Sequence, residues 1–199
     1  MSQITVHQLK ELRQRTAAGM LDCRQALEHA EGDMEKAVEI LRRQAAAEAA
    51  KRAARLTGEG QVGSYIHHDA KIGALVEINC ETDFVARTED FQQLGKSLAE
   101  HIAAAAPLAI DKDQVPQEKV DSERRIFVEQ VKAEGKPDHM IDKIVEGKVQ
   151  AFYKDVALMH QAWVRDPKKT IGDLVKEVSA KTGENVQVRR FVRYQLGEA

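Results

Sequence analysis

Cysteine is scarce in this sequence: Cys23 and Cys80 are the only two among 199 residues. Two thiols cannot build the disulfide framework of a small secreted protein, and they suit a reducing compartment. Long apolar runs are missing as well. No stretch approaches the roughly 20 residues of a membrane span. The opening segment MSQITVHQLKEL lacks the apolar stretch of a signal peptide. The expectation is a soluble, cytoplasmic protein with no membrane partner.

An excess of one charge is absent too. Lys and Arg number 30 against 32 Asp and Glu, a net charge of −2. Dedicated nucleic-acid binders carry a basic excess, so no direct nucleic-acid partner is expected. Two local basic groups, Lys51, Arg52 and Arg55, and then Arg189, Arg190 and Arg193, lack interleaved aromatic side chains on which bases would stack. They read as solvated helix and sheet faces. No Gly-rich phosphate loop is present, so the chain has no evident means of holding a nucleotide, and no cofactor is expected. His67, His68 and Asp69 are the nearest approach to a metal cluster, but they fall in a predicted turn without CxxC or HExxH spacing. No metal site is assigned. Cys23 and Cys80 lack a nucleophile signature and read as small buried side chains. No catalytic residue is assigned, and an enzyme is disfavoured.

What is there is a chain able to fold, with 43% apolar and 31% charged residues. Three short helices are predicted over residues 5–43. Thr5 and Gln8 fit a capping box, and Val6, Leu9 and Leu12 follow at helical spacing. Asp22 is the expected cap of the second helix, with Ala26 and Leu27 inward and Gly32 as its stop. Asp33 caps a third, with Met34, Ala37, Val38 and Leu41 on its apolar face. So small a bundle buries little surface, as befits an accessory recognition module. An Ala-, Lys- and Arg-rich helix continues from it as a linker.

Period two then takes over. Val62 to His67 reads as one strand. Ile72, Ala74, Val76, Ile78 and Cys80 alternate along a second, its antiparallel partner. Thr88 caps a helix carrying Phe91, Leu94, Leu98 and Ile102 on one side, closed by Pro107. Helical patterns at about 117–134 and 138–164, broken at Gly135 and Pro137, form a helical hairpin that either projects from the core or packs back on the sheet. Its second helix carries Ile141, Ile144, Val145, Phe152, Val156 and Met159. Thr170 and Asp173 make another capping box, Ile171, Leu174, Val175 and Val178 follow, and Gly183 suits the helix end. Val186, Val188, Val192 and Tyr194 share a face of a last strand, interrupted by Arg190. The fold class is α+β: an N-terminal three-helix bundle, then a small antiparallel sheet with helices on one side and a long helical hairpin insertion. The parts run 1–45 for the bundle, 46–60 for a helical linker, and 61–199 for the core, with strands near 62–67, 72–80 and 185–195.

Residues 77–87 read Glu-Ile-Asn-Cys-Glu-Thr-Asp-Phe-Val-Ala-Arg. A buried strand runs here into a loop. Asp83 and Phe84 form a tip presenting an acid and an aromatic, or else Phe84 and Val85 fold back into the core while Asp83 caps the next turn. The segment resembles the signature Asn-x-x-Thr-Asp-Phe-Val of the elongation factor Ts family at Asn79, Thr82, Asp83, Phe84 and Val85. Residues 12–27, from Leu12 through Gly19-Met20-Leu21 and Arg24 to Leu27, are similar to that family's first signature. The Gly32-Asp33 turn and the ending from Thr170 to the last strand also follow its pattern. The matches span nearly the whole chain. Arg24 departs from the lysine usual in the family, and the two are not interchangeable at a close contact. The sequence carries one core unit where the family's long form carries two and an extra C-terminal helix, so it resembles the short form.

The resemblance implies a UBA-like N-terminal bundle and a guanine-nucleotide exchange factor of translation elongation. Its partner would be elongation factor Tu, bound in its GDP and nucleotide-free states. The implied partner-binding residues are Asp83, Phe84, Thr82 and Val85 at the core, and Met20, Leu21 and Arg24 on the bundle. Met20 and Leu21 also fit plain bundle packing. Asp83 and Phe84 would act near the partner's magnesium site. A short form with one core unit is a candidate homodimer, through the helical hairpin or the exposed sheet face. The competing reading is a non-exchanging interaction module on the same fold.

Overall fold

The computed structural model describes residues 4–198. The outer ends of the predicted bundle and core, residues 1–3 and 199, lie outside the described residues. The chain divides into two compact units, Met1–Arg55 and Leu56–Ala199.

The first unit holds α1 (Val6–Thr16), α2 (Met20–His29) and α3 (Met34–Ala53). Thr5 and Gln8 form the expected capping box at the start of α1. Leu12, Cys23, Ala26, Leu27, Ala37, Val38 and Leu41 make a shared core, with Leu9 and Met34 packed at its margin. Val6 departs from its predicted face and is exposed. The cap of α2 is Gly19, not Asp22. Ala17 adopts the left-handed conformation and ends α1, so the chain re-enters a helix at Met20, two residues before Asp22. Asp22 instead places its charge in the first turn of α2, where the exposed backbone amides favour an anion. Asp33 caps α3 as expected, accepting from the amides of Glu35 and Lys36.

The second unit runs β1 (Glu59–Ile66), β2 (Ile72–Cys80), α4 (Asp83–Ala86), α5 (Glu89–Ala105), α6 (Gln117–Ala133), α7 (Asp138–Val156), β3 (Ala162–Trp163), β4 (Asp166–Thr170), α8 (Ile171–Thr182) and β5 (Gln187–Gln195). The sheet is antiparallel in the order β1-β2-β5. Ala74, Val76, Ile78 and Cys80 point to its covered face and meet Phe91, Leu94, Leu98 and Ile102 of α5 with Ile171 and Val175 of α8. Each fully buried Val, Leu, Ile or Phe among them contributes roughly 1.5–3 kcal/mol. Gly63 lets α5 lie close: a Cβ there would stand 2.4 Å from the Gly95 carbonyl oxygen.

The first strand begins earlier than its own alternation predicts, because pairing extends to the end of β2, with Glu59 opposite Cys80. The last strand departs more. Between Glu77 and Ile78 the register shifts, so that Arg190 and Val188 face them and Arg189 is the extra residue. This bulge flips every following side chain to the other face. Val188 and Phe191 therefore pack on the core, while Val192 and Tyr194, predicted to share the face of Val188, are exposed on the outer one.

The helical hairpin forms, and its helices bury their apolar faces against each other. Val120 and Val131 meet Ile141, Val145 and Val149 in a core of their own, with Ala109, Val115 and Ala157 at its base. Its second helix stops at Val156, eight residues short of the expected end. Ala157 is extended, and the amides of Leu158 and Met159 donate to the carbonyls of Ala109 and Ile110 at 2.9 and 3.0 Å. Pairing to the segment between α5 and α6 replaces the helical hydrogen bonds. Met159 accordingly packs on the sheet core rather than within the hairpin. The short pair β3–β4 was not expected, since Asp166-Pro167-Lys168-Lys169-Thr170 has no apolar alternation.

Candidate functional site

The turn that follows β2 is built from its backbone outward. Thr82 is extended and caps α4, its Oγ1 accepting from the Val85 amide at 3.3 Å. Asp83, expected as a cap or in an extended loop, is the first residue of this helical turn instead. The reason lies in helix geometry: once Thr82 caps, adjacent residues are turned about 100° apart around the axis. Val85 faces the core at 5% exposure, and Phe84 is turned away at 77%. The two apolar neighbours thus part company. Only Val85 follows the reading that folds both into the core.

Asp83 and Arg87 pair at 2.5 Å one turn apart, both largely exposed. Such a pair is worth little in water and can exchange partners at low cost. Thr88 ends the turn and caps α5, donating from Oγ1 to the Val85 carbonyl at 2.7 Å. Asn79 donates to the Glu59 carbonyl at 3.3 Å and holds the ends of the two strands together.

A residue that pattern reasoning missed anchors the turn. Glu184 stands just past α8, where Gly183 takes the left-handed conformation at φ 73°. Its Oε2 accepts from the amides of Glu81 and Thr82 at 3.0 and 3.1 Å. Its Oε1 accepts from the Thr82 hydroxyl at 2.6 Å. In return Glu81 Oε1 accepts from the Asn185 amide at 2.6 Å. No local signal marks Glu184, because its partners lie 102 and 103 residues away in sequence. The Cys80 thiol completes the anchor by donating to the Thr82 carbonyl at 3.2 Å. Burial, with the negative charge of Glu184 behind it, pushes this thiol up to about 11. It stays protonated at neutral pH and serves as a donor.

On the N-terminal unit, Met20 and Leu21 open α2 at 41% and 75% exposure. They are not core residues of the bundle, which Cys23, Ala26 and Leu27 fill from the same helix. Arg24 lies one turn on and pairs with Glu28 at 2.9 Å, both exposed. Of the expected partner-binding residues, Thr82, Asp83, Phe84 and Val85 therefore share one turn of the second unit. Met20, Leu21 and Arg24 share the start of one helix in the first.

The His67 and His68 rings lie 4.2 Å apart between centroids and are tilted by 57°, and Tyr65 Oη lies 3.1 Å from His67 Nδ1. Asp69 spends an oxygen on the Lys71 amide at 3.0 Å, as a turn residue does. Among the described residues no group of three or more His, Cys, Asp or Glu is arranged to hold a metal ion. Nor is any helix there long and apolar enough to cross a membrane.

Comparison with known proteins covers nearly the whole chain. The sequence profile described as Elongation factor TS matches residues 7–198. Elongation factor Ts of Thermosipho melanesiensis is 51% identical over 195 residues, covering 98% of this chain and 100% of that protein. Its counterpart in Fervidobacterium nodosum is 52% identical over 196 residues, with the same coverage of both chains. That of Carboxydothermus hydrogenoformans is 51% identical, covering 98% of this chain and 90% of the relative. By class, then, the molecule is a translation elongation factor. It belongs to the elongation factor Ts family.

Proposed function

We propose that the chain is a guanine-nucleotide exchange factor that binds elongation factor Tu·GDP, speeds GDP release, and does so by protein contact without covalent catalysis. Family membership supports the partner and the activity. The observation that carries the mechanism is Phe84, an aromatic ring 77% exposed on a capped turn whose next residue is buried. A large ring held in water on ordered backbone loses little further entropy on docking. Phe84 enters between partner side chains beside the magnesium site, with Asp83 next to it. The magnesium ligands lose their geometry, and the hold on the GDP phosphates weakens, because magnesium tolerates little departure from octahedral coordination. Met20 and Leu21, with Arg24 nearby, dock the bundle on the partner's nucleotide-binding domain. The unbranched Met side chain adapts to the surface it meets.

Coupling is reciprocal: if the factor weakens GDP binding, GDP weakens factor binding equally. The complex is therefore stable without nucleotide and dissociates on addition of GDP or GTP. Release of a fluorescent GDP from elongation factor Tu, with the factor at substoichiometric concentration, tests the proposal. Multiple-turnover acceleration is expected. Binding without acceleration would instead mark a non-exchanging interaction module.

The active form in this reading is a homodimer joined through the outer sheet face. Val62, Ile66, Leu75, Val192 and Tyr194 are exposed together on β1, β2 and β5, and Leu196 follows. On the helical hairpin, the alternative interface, Ile126 and Met140 are the only large apolar side chains exposed among the described residues of α6 and α7. The sheet face is the better apolar surface, and large exposed patches of this kind mark contact sites.

A further inference from the structure

We propose that Glu184 is a positioning residue for nucleotide exchange, acting through Phe84; the inference rests on the reading of Phe84 as the exchange tip. Every polar group of Thr82 is engaged. Its amide and hydroxyl donate to the two oxygens of Glu184 at 3.1 and 2.6 Å. Its Oγ1 accepts from Val85 at 3.3 Å, and its carbonyl accepts from the Cys80 thiol at 3.2 Å. Without Glu184, the amides of Glu81 and Thr82 lose their carboxylate, and the Thr82 hydroxyl loses the bond that points its lone pairs at Val85. The cap of α4 then rests on an unrestrained rotor. A single four-residue turn has almost no helical stability of its own, because its nucleus costs more than its few hydrogen bonds return. The direction of Phe84 depends on that turn.

The carboxylate is held in turn from its own side. Gly183 turns the chain out of α8, the Glu184 carbonyl accepts from Ser179 Oγ at 2.6 Å, and the following amide, Asn185, donates to Glu81 at 2.6 Å. Two carboxylates, Glu81 and Glu184, thus reach across in opposite directions, each onto the other segment's backbone. The α8–β5 connection is a brace for the tip, although Glu184 itself lies off the tip.

The test compares full-length Glu184→Ala, Glu184→Gln, Phe84→Ala and the Glu184→Ala/Phe84→Ala double variant. GDP release from elongation factor Tu is followed over a range of factor concentrations, alongside thermal melting. Glu184→Ala is expected to lower the maximal release rate about tenfold, less than the roughly hundredfold that a 1 Å misplacement of a reacting group can cost. Its half-saturating concentration should stay near that of the unaltered chain, because the contacts of Met20 and Leu21 are intact. Glu184→Gln, which keeps an acceptor oxygen for the amides, should recover most of the rate. The double variant should be no slower than Phe84→Ala alone, since two residues acting through one contact are not additive. If the two losses multiply, Glu184 acts apart from Phe84 and the inference falls. If Phe84→Ala is slow while Glu184→Ala exchanges normally, the brace is refuted and the tip stands. If Phe84→Ala exchanges normally, the reading of the tip itself fails. Should Glu184→Ala not fold, Thr82→Val cuts the same link from the other side and must lower the maximal rate, with Thr82→Ser restoring it; a fully active Thr82→Val overturns the proposal.

Discussion

Phe84 and Val85 are adjacent in sequence and opposite in consequence. Phe84→Ala removes a ring that touches mostly water, so the stability read from urea denaturation should change by less than about 0.5 kcal/mol. The rate of GDP release should fall at least tenfold. Val85→Ala reverses the pattern: two carbon atoms leave a buried site, at a cost of about 2 kcal/mol with the cavity included. Exchange by its folded fraction should persist. Urea denaturation beside the GDP-release assay separates the two; a Phe84→Ala chain that unfolds early yet exchanges normally would remove the ring from the mechanism. His101 supplies a second residue-scale prediction. It is buried, its Nδ1 accepts from the Val164 amide at 3.3 Å, and its Nε2 faces Gln161 Oε1 at 2.9 Å. The first bond requires a bare Nδ1, so Nε2 carries the proton and donates to Gln161. Burial lowers the pKa of this imidazole below its ordinary 6.5. The unfolded chain therefore takes up a proton that the folded chain refuses. Above about pH 6.5 the residue adds no pH dependence, and stability falls as pH drops from there toward the folded value. The urea midpoint of the unaltered chain should decline between pH 7 and 5.5 more steeply than that of His101→Asn.

Among the elements, those fixed by local chemistry were legible from the residues alone. Thr5, Asp33, Thr88 and Thr170 cap helices where their side chains predict. The alternation from Ile72 to Cys80 gives β2 its full length. Features set by distant pairing were not legible. The bulge at Arg189 depends on register against β2, and the early end of α7 depends on hydrogen bonds to Ala109 and Ile110. The site divides in the same way. Thr82 to Val85 stand out by motif, but the orientation of Phe84 follows from the cap and from Glu184, which sequence spacing cannot bring together. The bulge offers its own test. Arg189→Ala trims an exposed side chain and should change stability by less than about 0.5 kcal/mol. Deleting Arg189 leaves Val188, Arg190 and Phe191 in simple alternation opposite Ile78, Glu77 and Val76, so Val188 and Phe191 both keep the core face. That deletion should therefore shift the urea midpoint little more than Arg189→Ala, and a loss several times larger would show that the bulge itself carries a packing role.

For the whole molecule, the open question of surface is the outer face of the sheet. Light scattering at micromolar concentration is expected to give the mass of a dimer, and Tyr194→Glu with Ile66→Glu should return it to a monomer of 22.2 kDa. A monomer from the unaltered chain would refute the dimer while leaving the tip untouched. The sheet also bears on how the molecule comes into being. β1 and β2 are neighbours in sequence and can pair early, but Glu77 meets Arg190 only across a separation of 113 residues. Throughout synthesis of the helical hairpin and α8, the nascent chain carries a two-stranded ribbon with the edge of β2 unpaired and Val76 and Ile78 uncovered on one side by the late elements. Such an edge invites pairing with other chains. Closure waits on the last strand to leave the ribosome, and the Thr82 turn receives its brace from Glu184 in the same moment. A turn whose cap and brace stand 102 residues apart in sequence is thus set only once both have been made.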